Sequence, residues 1–196
     1  MIPEKILKQY EAFRISFRKD VMIFLEGEQA LHYFQLEAGS IKMITRSDEG
    51  QEFIQGISYA GESFGEPPLL CNFPYPSTAY AMVDTTIWKL RKEKFFDLIK
   101  DHFEIHLKLD QVLCERLRYK SKILTSIAFD DPENRVWWLI NYLKNKSGHQ
   151  SGKFVVPLTR QQIADMVGMR VETVIRTVKK LEESGKVGLV NHKIFV

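Results

Sequence analysis

The chain has 196 residues, 44% apolar and 27% charged, with a formal net charge of +3; this is the composition of an ordinary soluble globular protein with one large or two small domains. No apolar run approaches the roughly 18 residues of a membrane span, and the charged N-terminus "MIPEKILKQYEAF" has no signal-peptide core, so a cytoplasmic location and no membrane partner are expected. The charge is uneven: residues 132–196 hold 11 Lys/Arg against 5 Asp/Glu, whereas residues 1–131 hold 17 against 20, which points to a basic C-terminal module that meets a polyanion.

In chain order, residues 1–19 read as one or two short helices. From Val21 to Leu90 short apolar runs such as "VMIFLEG", "SIKMITRSDEG" and "EFIQGISYAG" alternate with glycine turns, and "DEG" at 48–50 is a hairpin signal. Turns at such close spacing predict an antiparallel sandwich or roll. Phe95 to Ile127 contains neither proline nor glycine, and reads as a short helix feeding a long one. Within it Leu113, Leu117, Lys120, Leu124 and Ile127 step by 4, 3, 4 and 3, the spacing of a two-stranded coiled-coil seam. A second row of Leu109, Val112, Tyr119 and Ile123 is placed to face the chain's own sheet domain. A lysine on the seam must snorkel or meet an acceptor. The alternative is a helix buried in its own domain.

"FDDPEN" at 129–134 ends this helix, and Pro132 after an Asp cap starts the next. The domain boundary is expected there: a sensor domain at 1–100, a dimerisation helix at 101–130 and a third module at 131–196. A helix over 133–147, a polar loop "KSGHQSGK" and a short strand "FVVPL" follow.

The segment "LTRQQIADMVGMRVETVIRTVKKLEESGKV" carries the function. Thr159 with Gln162 is a capping box, so a helix begins at Arg160. Gly168 ends it with the positive φ of a tight turn. A second helix begins near Arg170 and packs through Val174, Val178 and Leu181. A small residue (Ala164) at the crossing, glycine in the turn and β-branched Val174 on the second helix make a helix-turn-helix, whose second helix enters the major groove of double-stranded DNA. That helix exposes Arg170, Glu172, Thr173 and Arg176. Arginine donates twice to guanine O6 and N7, and glutamate accepts from cytosine N4, so Glu172 and Arg176 four apart can read adjacent base pairs. On an isolated helix the same spacing makes an ordinary surface ion pair; inside this motif it favours base readout. Thr159, Arg160, Gln161, Thr173, Lys179 and Lys180 are candidate phosphate contacts. "KVGLVNHKIFV" reads as a two-stranded wing turning at "NH", with Lys193 near a phosphate.

A glycine-punctuated roll, a seam helix, an Asp-Pro hinge and a winged helix-turn-helix together resemble the catabolite activator / fumarate–nitrate regulator family of bacterial transcription factors. "YAGESFGE" and "ERLRYKSKILTSIAF" add to the resemblance. It implies an α+β protein: an N-terminal antiparallel β-roll (a double-stranded β-helix like that of cyclic-nucleotide-binding domains), a long dimerisation helix and a C-terminal winged helix-turn-helix. It implies a homodimer on palindromic DNA, RNA polymerase as a further partner, and control by a small effector. Val171 and Ile175 depart from the arginine and serine of two family branches, so the half-site cannot be copied from either.

In the cyclic-nucleotide branch of that family, a loop resembling Gly65 to Ala79 holds the ligand, its arginine on the phosphate and its glutamate on the ribose. Here Gly65, Glu66, Ser77 and Thr78 match, but the arginine position is Pro76, and Pro67 and Pro68 have no N–H to donate. Losing a charge-assisted bond of roughly 1.5–3 kcal/mol argues against cAMP as the effector. Lys120 stands where the base would be met. The effector is therefore expected to be a molecule other than cAMP. The alternatives are a ligand-independent regulator with a vestigial pocket, closed by Pro74, Tyr75 and Pro76, or a cupin-like β-roll enzyme. The last would need clustered metal ligands, and segment 21–90 offers only His32. Neither catalysis, nor a metal, nor a cofactor is expected: Cys71 and Cys114 read as two reduced thiols, and His32, His102 and His106 lack a second-ligand pattern.

Overall fold

The computed structural model describes residues 2–148 and 153–196. The middle of the polar loop expected at 146–153 lies outside the described residues. The chain is α+β and divides into two compact units, Met1–Glu115 and Arg116–Val196.

The first unit opens with α1 (Glu4–Gln9) and β1 (Phe13–Phe17), followed by β2 (Met22–Phe24), β3 (His32–Ala38), β4 (Ser40–Arg46), β5 (Glu52–Tyr59) and β6 (Ser63–Phe64). Helix α2 (Glu66–Cys71), β7 (Thr78–Ala81), β8 (Thr85–Arg91) and α3 (Lys92–Asp101) complete the roll, and α4 (Phe103–Phe129) begins after a break at His102. Two four-stranded antiparallel sheets form, in the orders β1-β8-β3-β6 and β2-β7-β4-β5. The "DEG" hairpin sits between β4 and β5 as expected.

One local expectation needs correction. Residues 13–17 are a strand rather than helix, because Phe13 to Phe17 pair with Thr85 to Lys89 along the edge of a sheet. A partner so remote in sequence overrides weak local preference.

The core lies between the sheets and beneath the helices. Tyr33 stacks on Phe95 with ring centroids 4.5 Å apart. Gln35, buried among them, accepts from the Ile2 N–H (2.9 Å) and the Tyr33 hydroxyl (3.0 Å), and donates to the Ile2 carbonyl (3.0 Å). A buried amide with its donor and acceptor both used costs little to desolvate, and it ties the N-terminus to β3. On α4, Leu109 is buried in this core and Leu113 packs against it.

The second unit takes the rest of α4, then α5 (Pro132–Lys146), α6 (Arg160–Val167), α7 (Val171–Glu183), β9 (Gly188–Val190) and β10 (Lys193–Phe195). The joint after α4 is well tied. Asp131 caps α5 by accepting from the Asn134 N–H at 2.8 Å. Arg135 donates to the Asp130 and Ile127 carbonyls at 2.9 Å each, which satisfies acceptors that the end of α4 leaves open. Within this unit Tyr119 packs against α5. Its ring meets Tyr142 (4.6 Å) and Trp138 (5.8 Å) of α5, because aromatic surface on one helix finds its best cover on another. "FVVPL" is not a full strand; Val155 forms a single bridge to Phe195. Pro157 has no N–H to extend the ladder.

Candidate functional site

Helix α6 starts where its cap dictates. The Thr159 hydroxyl accepts from the Gln162 N–H at 3.1 Å, and the Thr159 N–H donates to Gln162 Oε1 at 2.9 Å. Accepting that bond leaves the hydroxyl proton of Thr159 available to a phosphate oxygen. The helix ends at Gly168, φ 64°, in the left-handed region, where a side chain would be strained. Replacing Thr159 by alanine should therefore cost the second unit about 1 kcal/mol, read as a lower urea midpoint at unchanged slope.

Helix α7 is sharply two-sided. Val174, Val178 and Leu181 are at most 1% exposed, with Thr177 beside them. Arg170, Glu172, Ile175, Arg176, Lys179 and Lys180 are exposed, and Val171 and Thr173 are half-buried. Glu172 and Arg176 stand one turn apart. No ion pair or side-chain hydrogen bond joins either of them to another described residue. The surface ion pair that their spacing would allow is thus not formed, and both hydrogen-bonding ends face outward.

The remaining expected DNA contacts differ in their freedom. Gln161 donates to Asp165 at 2.7 Å, so one amide proton is already engaged. Arg160 is half-buried, and desolvation moves its guanidinium below the ordinary arginine value against the pull of Glu182. In the wing, β9 and β10 pair from Gly188–Phe195 to Val190–Lys193. Asn191 and His192 form its turn with φ 48° and 62°. Lys193 is exposed, while Lys186 is engaged by Glu133 at 3.1 Å.

The roll's loop is arranged differently from an anion cradle. Gly65, Glu66, Ser77 and Thr78 are all buried. Thr78 Oγ1 accepts from the Glu26 N–H at 3.0 Å. Pro67 and Pro68 occupy the first turn of α2, so two of its N–H groups are missing. The space above this turn is filled by Tyr75. Its ring stacks on Phe24 with centroids 3.8 Å apart, and Phe24 in turn stacks with Phe34 and Phe64. A Cβ on Gly65 would stand 3.2 Å from the Tyr75 ring, so glycine is required there by packing as well as by its φ of 76°. Burial, then the charges of Glu28 and Glu66, push the Tyr75 hydroxyl up to about 12. Among the described residues no group of three or more His, Cys, Asp or Glu could hold a metal ion, and Cys71 and Cys114 are free and exposed.

Along α4, Leu117 and Leu124 are each 70% exposed and Ile127 is 37% exposed, whereas Leu113 is half-buried. Lys120 lies on an exposed stretch of the second unit, and desolvation around its ammonium lowers its pKa. No described helix is long and apolar enough to cross a membrane.

Two features carried weak signals in the sequence. The sequence offers Tyr75 only together with Pro74 and Pro76 as closing the pocket, with nothing nearby to show that its ring stacks on Phe24. Ile175 shows only as a departure from related motifs, although its three-residue spacing from Glu172 already places it on the outward face.

Comparison with known proteins agrees with this arrangement. Residues 14–102 match the family model for a cyclic nucleotide-binding domain, and residues 134–196 match that for a Crp-like helix-turn-helix domain. The chain is 34% identical over 162 residues to the cAMP-activated global transcriptional regulator CRP of Haemophilus influenzae, covering 80% of this chain and 71% of that one. It is 25% identical over 185 residues to a CRP-like cAMP-activated global transcriptional regulator of Mycobacterium tuberculosis, covering 93% and 83%. In fold it is similar to the c-di-GMP responsive global regulator CLP of Xanthomonas campestris, with a TM-score of 0.81 at 20% identity and 98% of each chain covered.

Proposed function

The chain belongs to the catabolite activator / fumarate–nitrate regulator family of DNA-binding transcription regulators, and from that premise we propose that it works in the cytoplasm as a homodimer on a palindromic site. Each α7 enters a major groove, the two separated by about one helical turn of DNA, 34–36 Å. Arg176 donates to a guanine and Glu172 accepts from a neighbouring cytosine. Thr159, Arg160, Gln161, Arg170, Thr173, Lys179 and Lys180 fix the helix on the phosphates. RNA polymerase is the partner that the DNA-bound dimer addresses. The observation that carries this reading is the exposed Glu172–Arg176 couple, joined to no partner among the described residues, on a helix whose opposite face is buried.

The dimer is supported by Leu117 and Leu124, seven residues apart and largely exposed on α4. Leucines at seam spacing leave the single chain with apolar surface that a second copy would cover. Selection of bound duplexes from a random pool, with light scattering of the free protein, tests both parts. The expected result is an inverted repeat and a dimeric mass, with Leu117→Glu/Leu124→Glu giving a monomer that selects no repeat. A monomeric wild type, or enrichment of single unpaired half-sites, would overturn the proposal.

A second reading concerns the effector. The Haemophilus and Mycobacterium relatives are cAMP-activated by name. In this chain the Tyr75 ring and two prolines stand where a phosphate would need donors. This favours a regulator that binds DNA without cAMP, its pocket occupied by its own side chain. Glu66, Ser77, Thr78 and Lys120 then have no ligand to hold.

A further inference from the structure

On the reading of α7 as the recognition helix, we infer that Ile175 is a specificity determinant that packs on the C5-methyl group of a thymine beside the pairs read by Glu172 and Arg176. At 3.6 residues per turn, Glu172, Ile175, Arg176 and Lys179 fall within an arc of about 100°. That arc is the outward face, opposite Val174, Val178 and Leu181. Three of its members are charged and hydrogen-bond to DNA. Ile175 cannot, yet it stands at the edge of this arc beside them, 42% exposed.

Along α7 its neighbour one turn back is the half-buried Val171, while Glu172 and Lys179, three before and four after it, are charged and exposed. Val174 and Val178 point to the core, and the next outward positions are Arg176 and Lys179. A β-branched side chain has few rotamers on a helix, so Ile175 leans in a fixed way on the turn before it and still leaves 42% of its surface open. When α7 seats in the groove, water is removed from this side chain whatever the sequence below. Over cytosine N4 or guanine O6 that removal leaves a polar group without a partner, which is unfavourable. Over thymine, the C5-methyl is the one apolar group that a base pair offers in the major groove. The site thus prefers thymine by attraction to a methyl and by a penalty against the polar edges.

Burying one methyl corresponds to roughly a fourfold change per half-site, and about fifteenfold for both halves of a palindrome. The experiment uses the duplex selected by the wild-type protein. Deoxyuridine, which lacks only the methyl, replaces each thymine pair in turn. For the wild type one symmetric pair of substitutions lowers affinity about fifteenfold, and for Ile175→Ser the same substitution has no effect. The inference is overturned if the wild type is indifferent to deoxyuridine at every position, or if Ile175→Ser retains the same loss. It is also overturned if Ile175→Ser weakens binding to all sequences equally, which would mean contact with the sugar–phosphate backbone. Exchange of the selected G·C pair, tested on Arg176→Ala, reports separately on the Glu172–Arg176 readout. Either result can fail while the other holds.

Discussion

Arg176→Ala should weaken binding to the selected site by about 1–3 kcal/mol per half-site, while binding to random duplex and its salt dependence stay nearly unchanged. The two behaviours separate because they have different causes. Random binding comes from cations that displace counterions from phosphates, and Arg160, Arg170, Lys179, Lys180 and Lys193 remain in the variant. Specific binding comes from two directed hydrogen bonds to one guanine, and alanine donates none. The structure makes this a clean substitution. Arg176 is exposed and pairs with no described residue, so its removal leaves no stranded partner in the free protein. Fluorescence anisotropy on the selected and scrambled duplexes, each over a range of salt, gives the comparison. Equal losses on both duplexes would move Arg176 from the bases to the backbone. Glu172→Ala should relax discrimination at the neighbouring pair by a similar route.

The second large effect is on the roll. Tyr75→Ala should destabilise the protein by about 3–5 kcal/mol, the range for deleting a large buried ring, read from urea unfolding. Tyr75 is 5% exposed, and its ring leads a chain of aromatic contacts through Phe24 to Phe34 and Phe64. Its loss therefore opens a cavity with the Phe24 ring on one wall and the Glu28 and Glu66 charges acting on the place of the hydroxyl. Phenol matches both, its ring stacking where the tyrosine ring stood and its hydroxyl able to donate to a carboxylate, so it should raise the variant's unfolding midpoint and leave the wild type alone. Tyr75→Phe keeps the stack and removes the hydroxyl. The sign of its pH effect follows from the raised pKa. A tyrosine that ionises near 10 when unfolded and at about 12 when folded stabilises the fold fully below pH 10. That contribution disappears as pH rises from 10 to 12. The wild type should lose stability through that window more steeply than Tyr75→Phe. A loss below 1 kcal/mol for Tyr75→Ala would show that the ring does not fill the roll.

The parts of this protein readable from its sequence are those determined locally. Thr159 and Gln162 bond each other within one turn, and Gly168 sets its own φ, so the helix-turn-helix follows from adjacent residues. The hairpin at Asp48–Gly50 and the cap at Asp131 are equally short-range. What was hidden depends on partners far along the chain. The strand Phe13–Phe17 exists because of Thr85–Lys89. Tyr119 turns to α5 because Trp138 and Tyr142 are there. The proline-rich loop showed that a phosphate site was missing donors, since proline lacks N–H in any fold. It offered Pro74, Tyr75 and Pro76 together as residues that could close the pocket, and did not single out Tyr75, because that depends on Phe24 and Gly65 standing across from it.

The ring cluster of Tyr119, Trp138 and Tyr142 gives the molecule an optical label of its own. Trp138 and Tyr142 lie 5.4 Å apart, so light absorbed by the phenols passes readily to the indole, and asymmetric coupling among the three chromophores shows in the near-ultraviolet dichroism. Trp88, in the first unit, is 4% exposed and lies beneath the cationic ends of Lys8 and Arg14, 5.8 Å and 5.6 Å from its ring centroid. The two compact units therefore carry spectroscopically distinct reporters, and melting of either can be watched without attaching a dye.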